Sequence, residues 1–215
     1  MESVATSGNE IAGRATALAT TLSVLVAWFL LAVWLGLRGA FAGPAGGLPI
    51  GLALSLMVPL AVFALDSRLG GPLFEGLRRL DLASLIALQT YRVLGVFFIV
   101  AWMAGDLPAA FALPAGLGDI AIGAAAPFVA AAVAARRPGY RALAIGWSFL
   151  GLADLVNALF QGVAHSPSPL GFLAGSITTQ AVTRYPMSLI PTFGVPLALM
   201  LHAVGLRRAL SSPRH

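Results

Sequence analysis

Polar residues in this chain cluster between long apolar runs instead of alternating with single apolar positions. The runs cover about 17–37, 48–65, 82–105, 109–135, 142–163 and 187–206. Each holds roughly 18–27 residues, enough for one helical crossing of a hydrocarbon layer with some tilt. The pattern predicts an all-α, polytopic integral membrane protein with six transmembrane helices, forming a single transmembrane domain over residues 1–215. The first run is followed by Ala40-Phe41-Ala42, which has the small residues of a signal cleavage site. Its apolar stretch is too long for a signal peptide and Arg38 interrupts the approach, so a retained first helix is expected.

The arginines provide an independent check on six spans. Six crossings put Arg14, Arg68, Arg78, Arg79, Arg136, Arg137, Arg141, Arg207, Arg208 and Arg214 on one side, and only Arg38 and Arg184 on the other. A missed or extra helix would scramble this division. Loops rich in arginine stay in the cytoplasm, so both termini are expected there.

Composition agrees with a bilayer setting. The chain is 59% hydrophobic and 10% charged, against about 25% charged residues in a soluble domain. The isoelectric point near 11 raises nucleic acid as a partner, but the arginines are scattered through short loops and form no basic face. Nucleic acid is therefore not expected. No lysine occurs, which excludes a Schiff-base cofactor. No cysteine occurs, which excludes disulfides, thiolate metal sites and a cysteine nucleophile. No cofactor and no metal are expected. As a whole the chain resembles the small polytopic inner-membrane proteins of bacteria, which implies the bacterial cytoplasmic (inner) membrane.

Two connections carry further pattern. Pro72 to Leu80 sets Leu73, Phe74, Leu77 and Leu80 beside Glu75, Arg78 and Arg79. This suits a short amphipathic helix on the cytoplasmic interface, with proline in its first turn; a charged loop holding some leucines fits equally well. The stretch from His165 to Pro186 is the longest external segment. Its Ser-Pro-Ser-Pro opening excludes regular helix, and Leu170 to Ala181 has the composition to dip into the membrane or lie on it.

Arg92, Asp119 and Asp154 each sit about ten residues inside an apolar run, near mid-bilayer. A charge there costs roughly 2.5–3.5 kcal/mol even on the lenient insertion scale, so the three are expected to face one another. At about 1.5 Å per residue, Arg92 lies roughly 15 Å and Asp154 roughly 18 Å from the cytoplasmic ends of their helices, with Asp119 roughly 24 Å up. Gln89 shares a face with Arg92. Asp119 lies on a stripe of Gly116, Gly123, Ala126 and Ala130, whose small residues admit a neighbouring helix. Gly151, Asp154, Asn157 or Ala158, and Gln161 form a second stripe. Fully ionised, the trio carries one surplus negative charge, so one aspartate is expected to hold a proton or a cation. The same residues also fit a purely structural lock between three helices.

Pro191 and Pro196 remove hydrogen bonds otherwise accepted by the carbonyls of Met187 and Thr192, and ordinary kinks are expected. His202 is expected near the cytoplasmic interface, well below the trio. Gly116-Leu117-Gly118-Asp119 resembles the GxGD motif of intramembrane aspartyl proteases and prepilin peptidases. The resemblance covers four residues and implies a catalytic pair of Asp119 and Asp154. Those families place the partner aspartate before GxGD, whereas Asp154 follows it, and an arginine beside the pair opposes a shared proton.

The expected function is a small transporter or proton/cation-conducting protein using Arg92, Asp119, Asp154, Gln89, Asn157 and Gln161. The alternatives are an intramembrane aspartyl-type hydrolase and a structural subunit of a membrane complex. The expected partners are the lipid bilayer and a proton, cation or small-molecule substrate, with a second copy of the chain as a further candidate.

Overall fold

In a computed structural model, the backbone is described for residues 2–44 and 46–211, and side chains from residue 15 onward within those limits. The side chain of Arg14, and Arg214 altogether, lie outside the described residues. The described chain is all-helical: α1 (Glu2–Leu37), α2 (Ile50–Leu69), α3 (Pro72–Arg79), α4 (Leu82–Met103), α5 (Ala109–Ala134), α6 (Tyr140–Ala164) and α7 (Ile190–Ser211). All but α3 are long and apolar enough to cross a membrane. Large apolar side chains such as Leu30, Trp34, Val62, Phe128 and Phe149 point outward and exposed. This surface belongs against lipid.

Helix boundaries follow local chemistry. Gly70 closes α2 in the left-handed conformation (φ +67°), and the Gly71 N–H donates back to the Asp66 carbonyl at 2.8 Å. The Asp66 carboxylate then accepts from the Phe74 N–H at 2.6 Å, tying α3 to the end of α2. Pro72 occupies the first turn of α3. Asp81 caps α4 by accepting from the Ser84 N–H at 2.6 Å.

The segment 72–80 is helical and amphipathic, but its apolar face is not offered to lipid. Leu73, Phe74 and Leu77 are buried with Phe63, Leu85, Met200, Leu201 and Val204, while Arg78 and Arg79 stay exposed. Gly76 leaves no room for a side chain beside Thr21 of α1, whose hydroxyl donates to the Pro72 carbonyl at 2.9 Å. Thus α3 plugs one end of the bundle. Arg207 covers the Phe74 ring at 5.3 Å and Arg208 donates to the Arg78 carbonyl at 2.7 Å, so α3 and the end of α7 share this end. Arg68, Arg78, Arg79, Arg136, Arg137, Arg141, Arg207 and Arg208 gather here, and Arg38 and Arg184 lie opposite.

Helix α5 packs between α4 and α6, α7 packs on α2, α4 and α6, and α1 meets α3 at the rim. A second apolar cluster, containing Ile86, Ile122, Ala126, Val129 and Trp147, joins α4, α5 and α6 in the arginine-rich half. A third, with Phe98, Leu107, Phe111, Ala115 and Val182, fills the opposite half.

The last helix departs from its expected limits at both ends. It begins at Ile190 with a π-helical turn through Gly194, where the Val195 N–H reaches the Ile190 carbonyl. The Met187 carbonyl, expected to be freed by Pro191, accepts instead from the Ile190 N–H at 3.1 Å. The helix runs beyond 206 to Ser211, the last described residue. The 165–186 connection is irregular apart from a 3₁₀ turn at Thr179–Thr183, and it folds back on α6: the Thr179 hydroxyl donates to the Gly162 carbonyl at 2.7 Å.

Replacing Asp81 by alanine is expected to cost about 0.5–2 kcal/mol, as loss of an N-cap does, read as a lower melting temperature in detergent. The Ser84 N–H holds the Asp81 carboxyl below the ordinary carboxylate range. Its contribution is therefore present above the unfolded pKa and fades as pH falls through the lower folded value. An equal melting temperature for Asp81→Ala and wild type at neutral pH would contradict the cap.

Candidate functional site

The site begins with an irregularity in α4. Residues Leu88–Gly95 are wound as a 3₁₀ helix, with three residues per turn, so side chains three apart stand in line. Gln89, Arg92 and Gly95 form that line and all three are buried. Ile86, Phe98 and Ala101 extend it at the same spacing. A 3₁₀ run of eight residues is unusually long. It aims one straight seam at α5.

Glycines bring the backbones together around this seam. A Cβ on Gly95 would meet the Cβ of Asp119 at 2.5 Å, and one on Gly123 would meet the Val93 nitrogen at 2.6 Å. On Gly151 it would strike His202 Nε2 at 2.5 Å, and on Gly118 it would overlap the Asp154 carboxylate. The two glycines of the GxGD-like run therefore have separate steric roles. Gly116 admits α4 through Ile99 and the Gly95 carbonyl, while Gly118 admits Asp154 from α6.

Arg92 sits in the space so made, its side chain 2% exposed. Nε donates to Asp119 Oδ1 at 2.7 Å and Nη2 donates to Asp154 Oδ2 at 2.5 Å. Nη1 donates to the Gly151 carbonyl at 3.3 Å and lies 3.3 Å from His202 Nε2. A guanidinium only donates. His202 Nε2 therefore accepts, and the ring proton sits on Nδ1. That Nδ1 is buried without a hydrogen-bond partner among the described residues, as is Gln89 Oε1. Gln89 Nε2 donates to the Ala198 carbonyl at 3.2 Å, one turn before His202. With neutral His202, the fully ionised cluster of Arg92, Asp119 and Asp154 carries one surplus negative charge.

Asp119 also opens onto a cavity of about 600 Å³. Its walls come from residues 43–44 and 46–49 and the first turns of α2, from Phe98 of α4 and Phe111 of α5, from the last turns of α6, from the 166–183 connection and from the π turn of α7. All of these lie away from the arginine-rich end. Toward that end the cluster is closed by Ile86, Ile122 and Trp147 on one side and by Leu85, Met200 and Leu201 on the other.

Of the residues expected from sequence, Gln89, Arg92, Asp119 and Asp154 come together. Gln161 stands toward the far end of α6, its amide 3.5 Å from the Ala110 carbonyl. Asn157 lies on the exposed face of α6, outside the cluster. His202 belongs to the cluster, contrary to its expected interfacial position. The expected limit at 206 put it about 6 Å from the helix end. The helix runs to Ser211, which puts His202 about 13.5 Å in, level with Arg92. The available signal was that His202 is the sole ionisable residue within the last apolar run, and such residues mark sites by default. Among the described residues, no group of three His, Asp or Glu side chains is arranged to hold a metal ion.

Removing Arg92 alone leaves two buried carboxylates without their counterion. Arg92→Met is expected to destabilise the protein by about 3–5 kcal/mol. The triple variant Arg92→Met, Asp119→Leu, Asp154→Leu should recover most of that loss. Denaturant titration in detergent checks both, and an Arg92→Met protein as stable as wild type would contradict the ion-pair geometry.

A model for a domain of unknown function (DUF8737) matches residues 49–210. No curated protein and no solved structure matches the chain. The matched stretch takes in the whole cluster and most of the sequence, and the chain belongs to this domain family.

Proposed function

We propose that this is a small membrane transporter, running on a proton or cation, with Asp119 and Asp154 as the ion-binding carboxylates and Arg92 as their countercharge. One observation carries the reading: Asp119 holds Arg92 with one oxygen while its side chain also faces the cavity. A carboxylate so placed takes up a proton or cation from the cavity and loosens its hold on the guanidinium in doing so. The surplus negative charge of the cluster supplies the affinity.

A transporter is favoured over an open channel because the path is blocked on one side. The cavity reaches the cluster from the arginine-poor end, and packed apolar side chains close the arginine-rich half. A structure open to one side at a time is what alternating access requires. We further propose that the arginine-rich end, with both termini, faces the cytoplasm of a bacterial inner membrane, because arginine-rich loops are retained there. An aspartyl hydrolase is less well supported. Its two carboxylates share a proton and a water, whereas here both accept from one guanidinium.

Purified protein in liposomes under a pH gradient, with a pH-sensitive dye inside, is expected to carry pH-dependent flux. Asp119→Asn and Asp154→Asn should each reduce it at least about tenfold, a change of roughly 1.4 kcal/mol or more, while remaining folded by circular dichroism. Flux unchanged in both variants, or absent from wild type, removes the proposal.

A further inference from the structure

We infer that the cavity is the binding site of a lipophilic cation, and that this cation and a proton compete for the surplus charge at Asp119. The inference rests on the transport reading and names its substrate class.

The cavity's form points to the ligand's body. At about 600 Å³ it falls within the range that holds small organic molecules. Its walls near the cluster are apolar, formed by Leu56, Phe98, Phe111, Leu155, Leu159 and Val195. An inorganic cation would lose its water there for a single carboxylate, since among the described residues Asp119 is the only ionisable one in the lining and the neutral oxygen donors Ser166, Ser168, Thr179, Gln180 and Thr183 all come from the 166–183 connection. An organic body gains from the same walls.

The charge points to the ligand's sign. Asp119 is faced by Arg92 from α4, by Asp154 from α6 and, through Arg92, by neutral His202 from α7; Tyr91 is engaged with the Gly194 carbonyl at 2.6 Å. One positive and two negative charges leave room for one more positive charge. Among the described residues, no arginine or histidine lines the cavity to receive an anion. Phe98 and Phe111 add aromatic surface, packed edge to face at 5.2 Å, and aromatic faces attract organic cations. A cation seated there neutralises the cluster, and so does a proton on the carboxylate. Both at once would leave it positive. Binding of the cation therefore releases the proton.

Access fits a lipid-soluble molecule. The outer half of α2 presents exposed Leu54 and Met57 along the cavity margin, and exposed Val163 of α6 stands at the same margin. The opening thus meets the acyl chains of the surrounding bilayer as well as the 166–183 connection. A lipophilic cation concentrated in the membrane reaches Asp119 without crossing the sealed half.

The test uses tetraphenylphosphonium with the purified full-length protein in weakly buffered detergent, reading heat of binding and pH together. Saturable binding with about one proton released per cation is expected. Tetraphenylborate, similar in shape and opposite in charge, should bind at least about tenfold more weakly. Asp119→Asn should abolish both the proton release and the preference for the cation. Ala158→Phe, which fills the cavity and leaves the carboxylates in place, should weaken binding at least about tenfold, so the site remains testable if Asp119→Asn does not fold. Equal binding of both ions, binding without proton release, or full binding by Ala158→Phe overturns the inference. Cation binding with proton release but no flux in liposomes would end the transport reading and leave this site standing. Flux without cation binding would end this inference alone.

Discussion

A guanidinium buried to 2% exposure keeps its charge in a bilayer only when its N–H groups find acceptors and its charge finds counterions. Stripping water from an ion costs several kcal/mol even after relaxation. Arg92 meets both needs with two carboxylates, one carbonyl and one imidazole, drawn from α5, α6 and α7. That requirement organises the bundle. Three helices must come within hydrogen-bonding distance of one side chain on α4, and glycine stands at Gly95, Gly118, Gly123 and Gly151, where any other residue would collide with the cluster.

Meeting that requirement leaves an asymmetry. The arginine accounts for one negative charge and the cluster has two. Among the described residues, nothing in the cavity lining supplies a balancing positive charge. A structural lock is most stable when its charges balance within the protein. In the transport reading the balance comes from a proton or cation taken up through the cavity that Asp119 lines. The opposite side of the cluster differs in kind. There the buried Gln89 Oε1 and His202 Nδ1 have no hydrogen-bond partner among the described residues, and packed apolar side chains close the way beyond.

Much of this was legible in the chain. The six apolar runs mark the six long helices to within a few residues at most ends, because bilayer thickness sets helix length and apolar surface is the only surface lipid accepts. Arg92 and Asp154 could be paired by depth, since expensive charges must meet, whereas the same measure set Asp119 about one helical turn higher, although it pairs with Arg92 directly. What failed was depth measured from an uncertain end. Arg207 and Arg208 looked like the limit of the last helix, yet α7 continues past them, with Arg207 on the Phe74 ring and Arg208 on the Arg78 carbonyl. Five residues of extra helix carried His202 from the surface to the cluster. Asn157 failed differently. An α-helical face three residues on from Asp154 is also compatible with the lipid side of α6, and spacing within one helix does not say where its neighbours stand. The spacing of three at 89, 92 and 95 was present in the sequence, but it registers as one straight line only because Leu88–Gly95 is wound as a 3₁₀ helix.

That winding and the ion pairs depend on each other. Eight residues rise about 2.0 Å each as 3₁₀ helix and about 1.5 Å each as α-helix, so the same segment wound as α would be about 4 Å shorter. At 3.6 residues per turn, positions three apart drift off a common line. Arg92 would then no longer stand directly between Gln89 and Gly95. The 3₁₀ form has poorer hydrogen bonds and rarely persists over such a length unaided. Here it is held from outside by the two carboxylates on Arg92, by the Gln89 bond to Ala198, and by the Tyr91 hydroxyl on Gly194 in the π turn of α7. Of the two carboxylates on Arg92, Asp119 is the one that lines the cavity. The geometry of α4 is therefore tied to the ion pairs of Arg92, and the irregular turn of α7 is tied to α4 through Tyr91.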